Sequence, residues 1–166
     1  MNLLRSVYVN NGDTLNESGN YDNALYSYNK ALDFLMLIPF SKERQKEVFY
    51  KLGDAWLNKG THEKAISYYK KAIEIDSKYL PAILGLGDAN LELGFFDEAL
   101  KFYKSAVKLS PNDRYNYYKL GRAFVNKGLL DKAIGTYRDY IRLAPKDFDT
   151  LREIASVVNK KAVKGI

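Results

Sequence analysis

The sequence contains no cysteine. That excludes a disulfide framework, a thiolate metal site and a cysteine nucleophile. Histidine is almost as scarce. His62 is alone, just after Gly60 at an expected turn, and reads as a surface residue. It has no serine or cysteine constellation around it, and no acids or imidazoles cluster at metal-ligand spacing. Neither glycine-rich phosphate-binding pattern occurs. The expectation is a non-enzyme with no cofactor. Long apolar runs are also missing. Nothing approaches the roughly 18 apolar residues of a membrane span. The opening MNLLRSVYVNNGDT turns polar too early for a secretory signal. We therefore expect a cytoplasmic protein, or a soluble segment of a longer one.

What the sequence does have is order at one period. A chain of 166 residues that is 46% hydrophobic fits one domain, or a short repeat array with a packed core. The nonapeptide LGDAWLNKG (52–60) has relatives in LGDANLELG (86–94), LGRAFVNKG (120–128) and, more faintly, NGDTLNESG (11–19). The anchors Gly53, Gly87 and Gly121 are evenly spaced, and Gly60, Gly94 and Gly128 keep the same interval. So do the ladders Ala65, Ala99, Ala133 and Tyr69, Tyr103, Tyr137, while Pro111 and Pro145 close two units. A first unit carries Gly12, Gly19, Ala24, Tyr28 and Ala31, with seven extra residues near PFSKERQ (39–45) before the second. Seven residues are two helical turns. The helix before Gly53 should therefore be long and begin near Ser41, a plausible N-cap.

Each unit reads as two helices. Phe49, Leu52 and Trp56 fall at helical spacing, as do Ile83 and Leu86, then Tyr117, Leu120 and Phe124. Glycine inside a helix costs about 1 kcal/mol against alanine, so its recurrence implies close helix approach. The second glycine of each unit suits a helix C-terminus. An acid follows in the first turn of the next helix, at Asp22, Glu63, Asp97 and Asp131, where the helix dipole favours it. The second helices are ALYSYNKAL (24–32), AISYYKKAI (65–73), ALKFYKSAV (99–107) and AIGTYRDYI (133–141). Each carries one apolar stripe. Tyr140 replaces a small residue there, which implies looser packing or a different target. The tyrosine ladder, Trp56 and Phe124 are assigned to the core.

This unit resembles the tetratricopeptide repeat. The resemblance implies an all-α, right-handed α-solenoid of antiparallel helix pairs, forming one domain over 1–166. Its repeats would be 5–38, 46–79, 80–113 and 114–147, with the insertion at 39–45 and a capping helix over 148–164. The departures are Asn11 for leucine, Met36 for proline and Asn90 for an aromatic. A solenoid needs covered ends. Leu151, Ile154, Ala155 and Val158 can face the last repeat, with Arg152, Lys160, Lys161 and Lys164 outward. Leu3, Leu4, Val7 and Tyr8 leave the amino-terminal end without such a cap.

The family implies a protein-interaction adaptor whose first helices line a concave groove. There the expected partner-binding residues are Asp13, Asn16, Tyr50, Asp54, Leu84, Asp88, Tyr115, Tyr118, Arg122 and Asn126. The aspartates favour a partner with Lys or Arg. Of the nonapeptide's residues, Asp54 alone is explained by neither core packing nor helix termination. One subclass of the family clamps chaperone C-terminal carboxylates with Lys, Asn and Arg. Here those places hold Val9, Asp13, Lys51, Pro81 and Gly85, or Tyr50, Asp54, Gly85, Tyr115 and Lys119, which argues against a clamp. An alternative is self-assembly, through the amino-terminal helix or the Tyr140 face. A weaker one is RNA or anionic lipid on a basic convex surface, in keeping with the net charge of +6. A nucleic-acid site wants exposed aromatics among its lysines. Here the second-helix lysines and the aromatics are expected on opposite faces.

Overall fold

The computed structural model describes residues 2–38 and 41–164, and the side chains of 6–38, 41–157 and 159. Pro39 and the side chains of Leu3, Leu4, Val158, Lys160, Lys161 and Lys164 lie outside the described residues. The described residues form nine α-helices and no strand. They group into two compact units, 1–93 and 94–166. The first holds α1 (Asn2–Glu17), α2 (Tyr21–Met36), α3 (Lys42–Asn58), α4 (His62–Ile75) and α5 (Leu80–Glu92). The second holds α6 (Phe96–Leu109), α7 (Arg114–Asn126), α8 (Leu130–Leu143) and α9 (Phe148–Lys164). Within the first unit α2 packs on α1 and α3, and α4 on α3 and α5. Within the second, α7 packs on α6 and α8, and α8 on α9.

The helix ends follow from glycine and charge. Gly19, Gly60, Gly94 and Gly128 all have positive φ, the left-handed conformation that ends a helix. Asp22, Glu63, Asp97 and Asp131 stand in the first turns that follow, at the positive end of each helix dipole. Lys59 pairs with Asp22, and Lys127 with Asp97, so the residue before the glycine ties one hairpin to its neighbour. Helix α3 has 17 residues where α5 and α7 have 13. Ser41 precedes it but is not a side-chain cap. Its hydroxyl donates to the Leu35 carbonyl at 2.6 Å and accepts from Gln45 Nε2 at 2.8 Å, which fastens the start of α3 to the end of α2.

The core of each unit contains tyrosines lying on glycines. Tyr28, Tyr69, Tyr103 and Tyr137 are all buried. A Cβ added at Gly12 would sit 2.5 Å from the Tyr28 ring, and one at Gly53 would sit 2.5 Å from the Tyr69 ring. Tyr69 is enclosed on both sides, because a Cβ at Gly85 of α5 would also meet it at 2.5 Å. Close helix approach is therefore the reason for the anchor glycine.

Several expectations are corrected. Trp56 is half-buried, not core: Lys64 and Lys59 lie over its ring at 4.0 and 5.4 Å. His62 is half-buried with Nδ1 shielded, not a free surface residue. Tyr140 is buried and donates its hydroxyl to Asp147 at 2.6 Å, so it offers no loose face for assembly. Second-helix lysines and aromatics are not segregated: Lys71 lies 4.8 Å over Tyr68 and Lys30 5.6 Å over Tyr26. Flexible stems lying along apolar rings account for this. The departures from the repeat pattern are satisfied locally. Asn90 donates to the Leu86 carbonyl at 2.7 Å, and Asn11 donates to Ser27 Oγ at 2.9 Å.

Gly53→Ala is predicted to destabilise the protein by about 2 kcal/mol, since overpacking against a ring held on both faces outweighs the gain in helix propensity. Gly60→Ala should cost about 1 kcal/mol through its left-handed backbone alone. Urea unfolding of both variants checks the order. A neutral Gly53→Ala would contradict the packing argument.

Candidate functional site

A buried phenol must find a hydrogen-bond partner. The residue after the anchor glycine supplies it. Tyr28 donates to Asp13 Oδ1 at 2.7 Å, and Tyr69 donates to Asp54 Oδ1 at 2.7 Å. Each bond runs from a second helix back to the first helix of the same hairpin. The expectation that packing leaves Asp54 unexplained is therefore corrected: the aspartate accepts from the core tyrosine. Burial, then the nearby carboxylate, pushes the Tyr28 and Tyr69 hydroxyls far above the usual phenol range, so both remain donors.

The two aspartates have different surroundings. Asp13 Oδ1 also accepts from Lys51 Nζ at 2.6 Å, an ion pair from α3 to α1. Asp54 forms no ion pair among the described residues. Its carboxyl is held above the usual range, chiefly by burial and also by the charge of Asp88. Hydrogen bonds from Tyr69 and Tyr50 and the charge of Lys51 act the other way. Tyr50 is fixed beside it. Its ring lies 6.0 Å from Tyr69 and edge-on to Tyr79 at 5.9 Å, and burial then Asp54 hold its phenol protonated.

These side chains surround a cleft of about 260 Å³ between α1 and α3, lined by Asp13, Asn16, Glu17, Tyr28, Tyr50, Lys51 and Asp54. Asn58 Nδ2 donates to Asn16 Oδ1 at 3.2 Å beside it. A second cavity of about 130 Å³ lies further toward the start of α1, between Ser6, Val9 and Asn10 and α3 residues Glu47 and Val48. Lys51 lines both. Four of the sequence-predicted residues, Asp13, Asn16, Tyr50 and Asp54, thus share one cleft. Sequence reasoning missed Glu17, Tyr28 and Lys51 as its other walls. Leu84 and Asp88 are half-buried on α5 and do not line it.

The second unit has a different character. Tyr115 is 50% exposed and stacks on Tyr118 at 6.5 Å. Lys119 lies 4.9 Å over Tyr115, and the Arg122 guanidinium lies 5.8 Å over Tyr118. Position 122 has no carboxylate to offer Tyr137. Helix α9 brings one instead: Glu153 accepts from the Tyr118 hydroxyl at 2.8 Å, and its charge acts on Tyr137. Asn126 is exposed at the end of α7. No group of three or more His, Cys, Asp or Glu suited to a metal ion occurs among the described residues. No helix among them is long and apolar enough to cross a membrane.

Helix hairpins in which an anchor glycine meets a core tyrosine, as Gly12 meets Tyr28, Gly53 meets Tyr69 and Gly121 meets Tyr137, define a class. Tetratricopeptide repeat models match residues 84–148 and 46–79. The chain belongs to the tetratricopeptide repeat family, a class of protein-interaction scaffolds, and its fold is the all-α fold of that family. It is 26% identical to MamA, whose crystal structure superposes with a TM-score of 0.77 over 99% of this chain and 86% of that one. Over 76 residues, 46% of this chain, it is 34% identical to the photosystem I assembly protein Ycf3 of Acaryochloris marina. That match spans 43% of the relative's length. The first tetratricopeptide domain of Spaghetti (RPAP3), bound to the HSP90 peptide SRMEEVD, shares the fold with a TM-score of 0.66 at 22% identity, over 72% of this chain and 97% of that one.

Asp54 generates a pH-dependent prediction. Its carboxyl is raised in the folded state, so folding disfavours the ionised form. That contribution to stability is fully present in acid and is lost as pH rises through the folded-state value. Asp54→Asn keeps an acceptor for Tyr69 and carries no charge. It should raise Tm near neutral pH, with the gain vanishing in acid. Asp54→Ala leaves the Tyr69 hydroxyl without its acceptor and should lower Tm at both, by the equivalent of about 1–3 kcal/mol. Thermal melts of the three proteins at two pH values check the signs.

Proposed function

We propose that this protein is a non-enzymatic adaptor that holds a peptide or a partner surface against its first helices. In the first unit the contact residues would be Asp13, Asn16, Tyr50, Asp54, Leu84 and Asp88. In the second they would be Tyr115, Tyr118, Arg122 and Asn126. The observation that carries the reading is the cleft between α1 and α3, open beside a fixed tyrosine and walled by three carboxylates, Asp13, Glu17 and Asp54, against one lysine. Large, rigid, amphipathic rings such as Tyr50 are favoured anchors in protein interfaces.

The sign of this cleft sets the partner's chemistry. An acidic cleft in a chain of net charge +6 favours a basic partner over the chain's own bulk surface. The HSP90 peptide bound by Spaghetti (RPAP3), SRMEEVD, carries three acids. Asp13 and Asp54 would repel such a peptide, and the reading is accordingly not a chaperone carboxylate clamp. In the second unit the exposed ring of Tyr115, stacked on the half-buried Tyr118, would offer an aromatic face to a partner.

The experiment is affinity capture with wild type against an Asp54→Lys/Asp88→Lys variant whose helicity is verified by circular dichroism. Specific partners should be lost from the charge-reversed protein. Retention of every specific partner would remove the first-unit face as the binding surface.

A further inference from the structure

The repeats differ at one position that bears directly on Asp54. Two residues before the anchor glycine stand Lys51, Gly85 and Lys119 in successive units. Lys51 shows what that position does in the first hairpin pair: it reaches from α3 to α1 and seats its ammonium on Asp13, at 2.6 Å. In the same register α5 presents Gly85 to the α3–α4 hairpin, which carries Asp54. Gly85 has no side chain, and a Cβ there would meet Tyr69 Cζ at 2.5 Å. The ring that donates to Asp54 therefore occupies the space a lysine stem would need.

Asp54 is thus a carboxylate whose built-in counter-ion has been deleted, one repeat away from an intact copy. It keeps the neutral part of the arrangement, the Tyr69 hydroxyl at 2.7 Å with Tyr50 alongside. The charges acting on it are Lys51 from its own helix and Asp88 from α5, which oppose each other. The cleft of about 260 Å³ opens onto it from the α1 side. Partly shielded carboxylates are stabilised by a close cation far more than exposed ones are. The Asp13–Lys51 pair demonstrates that this fold accepts an ammonium at the equivalent place.

We propose that Asp54 receives one lysine or arginine side chain from a bound polypeptide, the partner supplying in trans the cation that Lys51 supplies in cis to Asp13. Tyr50 borders the entering side chain, and Tyr69 fixes the carboxylate. This inference rests on the binding reading above and deepens it by naming what one position takes. It assigns Asp54 two roles, as acceptor for the hydroxyls of Tyr69 and Tyr50 and as receptor for a cation.

The test uses the full chain and a blocked glycyl-arginyl-glycine peptide, with its citrulline analogue as a neutral isostere. In amide chemical-shift titrations the arginine peptide should move Tyr50, Lys51 and Asp54, and the citrulline peptide should not. Asp54→Asn, which keeps the Tyr69 acceptor, should weaken arginine binding about tenfold, the scale of losing a partly shielded charge pair. Asp149→Asn, the same charge change on exposed α9, should leave it unchanged. Equal shifts from both peptides, shifts that map elsewhere, or an Asp54→Asn protein that binds like wild type would each overturn the proposal. The first comparison needs no variant. Partners lost on charge reversal without arginine-selective shifts would sink the cation site and leave the adaptor reading. Arginine-selective shifts with every partner retained would do the opposite.

Discussion

The structure depends on one arrangement: a tyrosine ring buried between helices, with its hydroxyl needing an acceptor. The ring fills the space that an anchor glycine leaves, which brings two helix backbones close. That closeness forbids a larger side chain at the glycine, and at Gly85 for Tyr69. Burying a phenol without a partner would forfeit a hydrogen bond and strand a polar group. Asp13 and Asp54 answer that need from the turn of helix carrying the glycine. In the first two hairpins glycine, aspartate and tyrosine are in this sense a single device.

Much of this was legible in the chain. The evenly spaced ladders specify the helix hairpins, because so long a period with helical stripes inside it has few other solutions. The C-terminal glycines and the first-turn acids follow from backbone geometry and the helix dipole. The role of the aspartate was not read. Its partner lies across a turn in the next helix, where helical spacing makes no link. A signal existed nonetheless: Asp13 to Tyr28, Asp54 to Tyr69 and Asp88 to Tyr103 keep one offset. Trp56 and Tyr140 were misplaced for a related reason. Periodicity tells which side of a helix a residue occupies, but how deeply it sinks depends on neighbours such as Lys64 and Asp147.

What the family shares is scaffold; what individualises this chain is variation laid upon it. Asp13 is neutralised by Lys51, Asp54 faces Gly85, and Arg122 stands where a further carboxylate would. Near that last place helix α9 brings Glu153 to a different tyrosine, Tyr118. The hairpins are alike in sequence, yet their first-helix faces differ in charge from repeat to repeat. A carboxylate recruited for packing thereby becomes available for recognition wherever its counter-ion is absent. Structural and binding roles then reside in the same side chain, and a substitution there affects both.

The most direct measurement of the central claim is a double-mutant cycle on Tyr69→Phe and Asp54→Ala, read by urea unfolding near neutral pH. If the aspartate serves the core tyrosine, the two changes remove one shared interaction, and the coupling should be about 1–2 kcal/mol. Additivity to within about 0.3 kcal/mol would mean that the bond contributes nothing to the fold. The aspartate would then have no structural reason to follow the glycine.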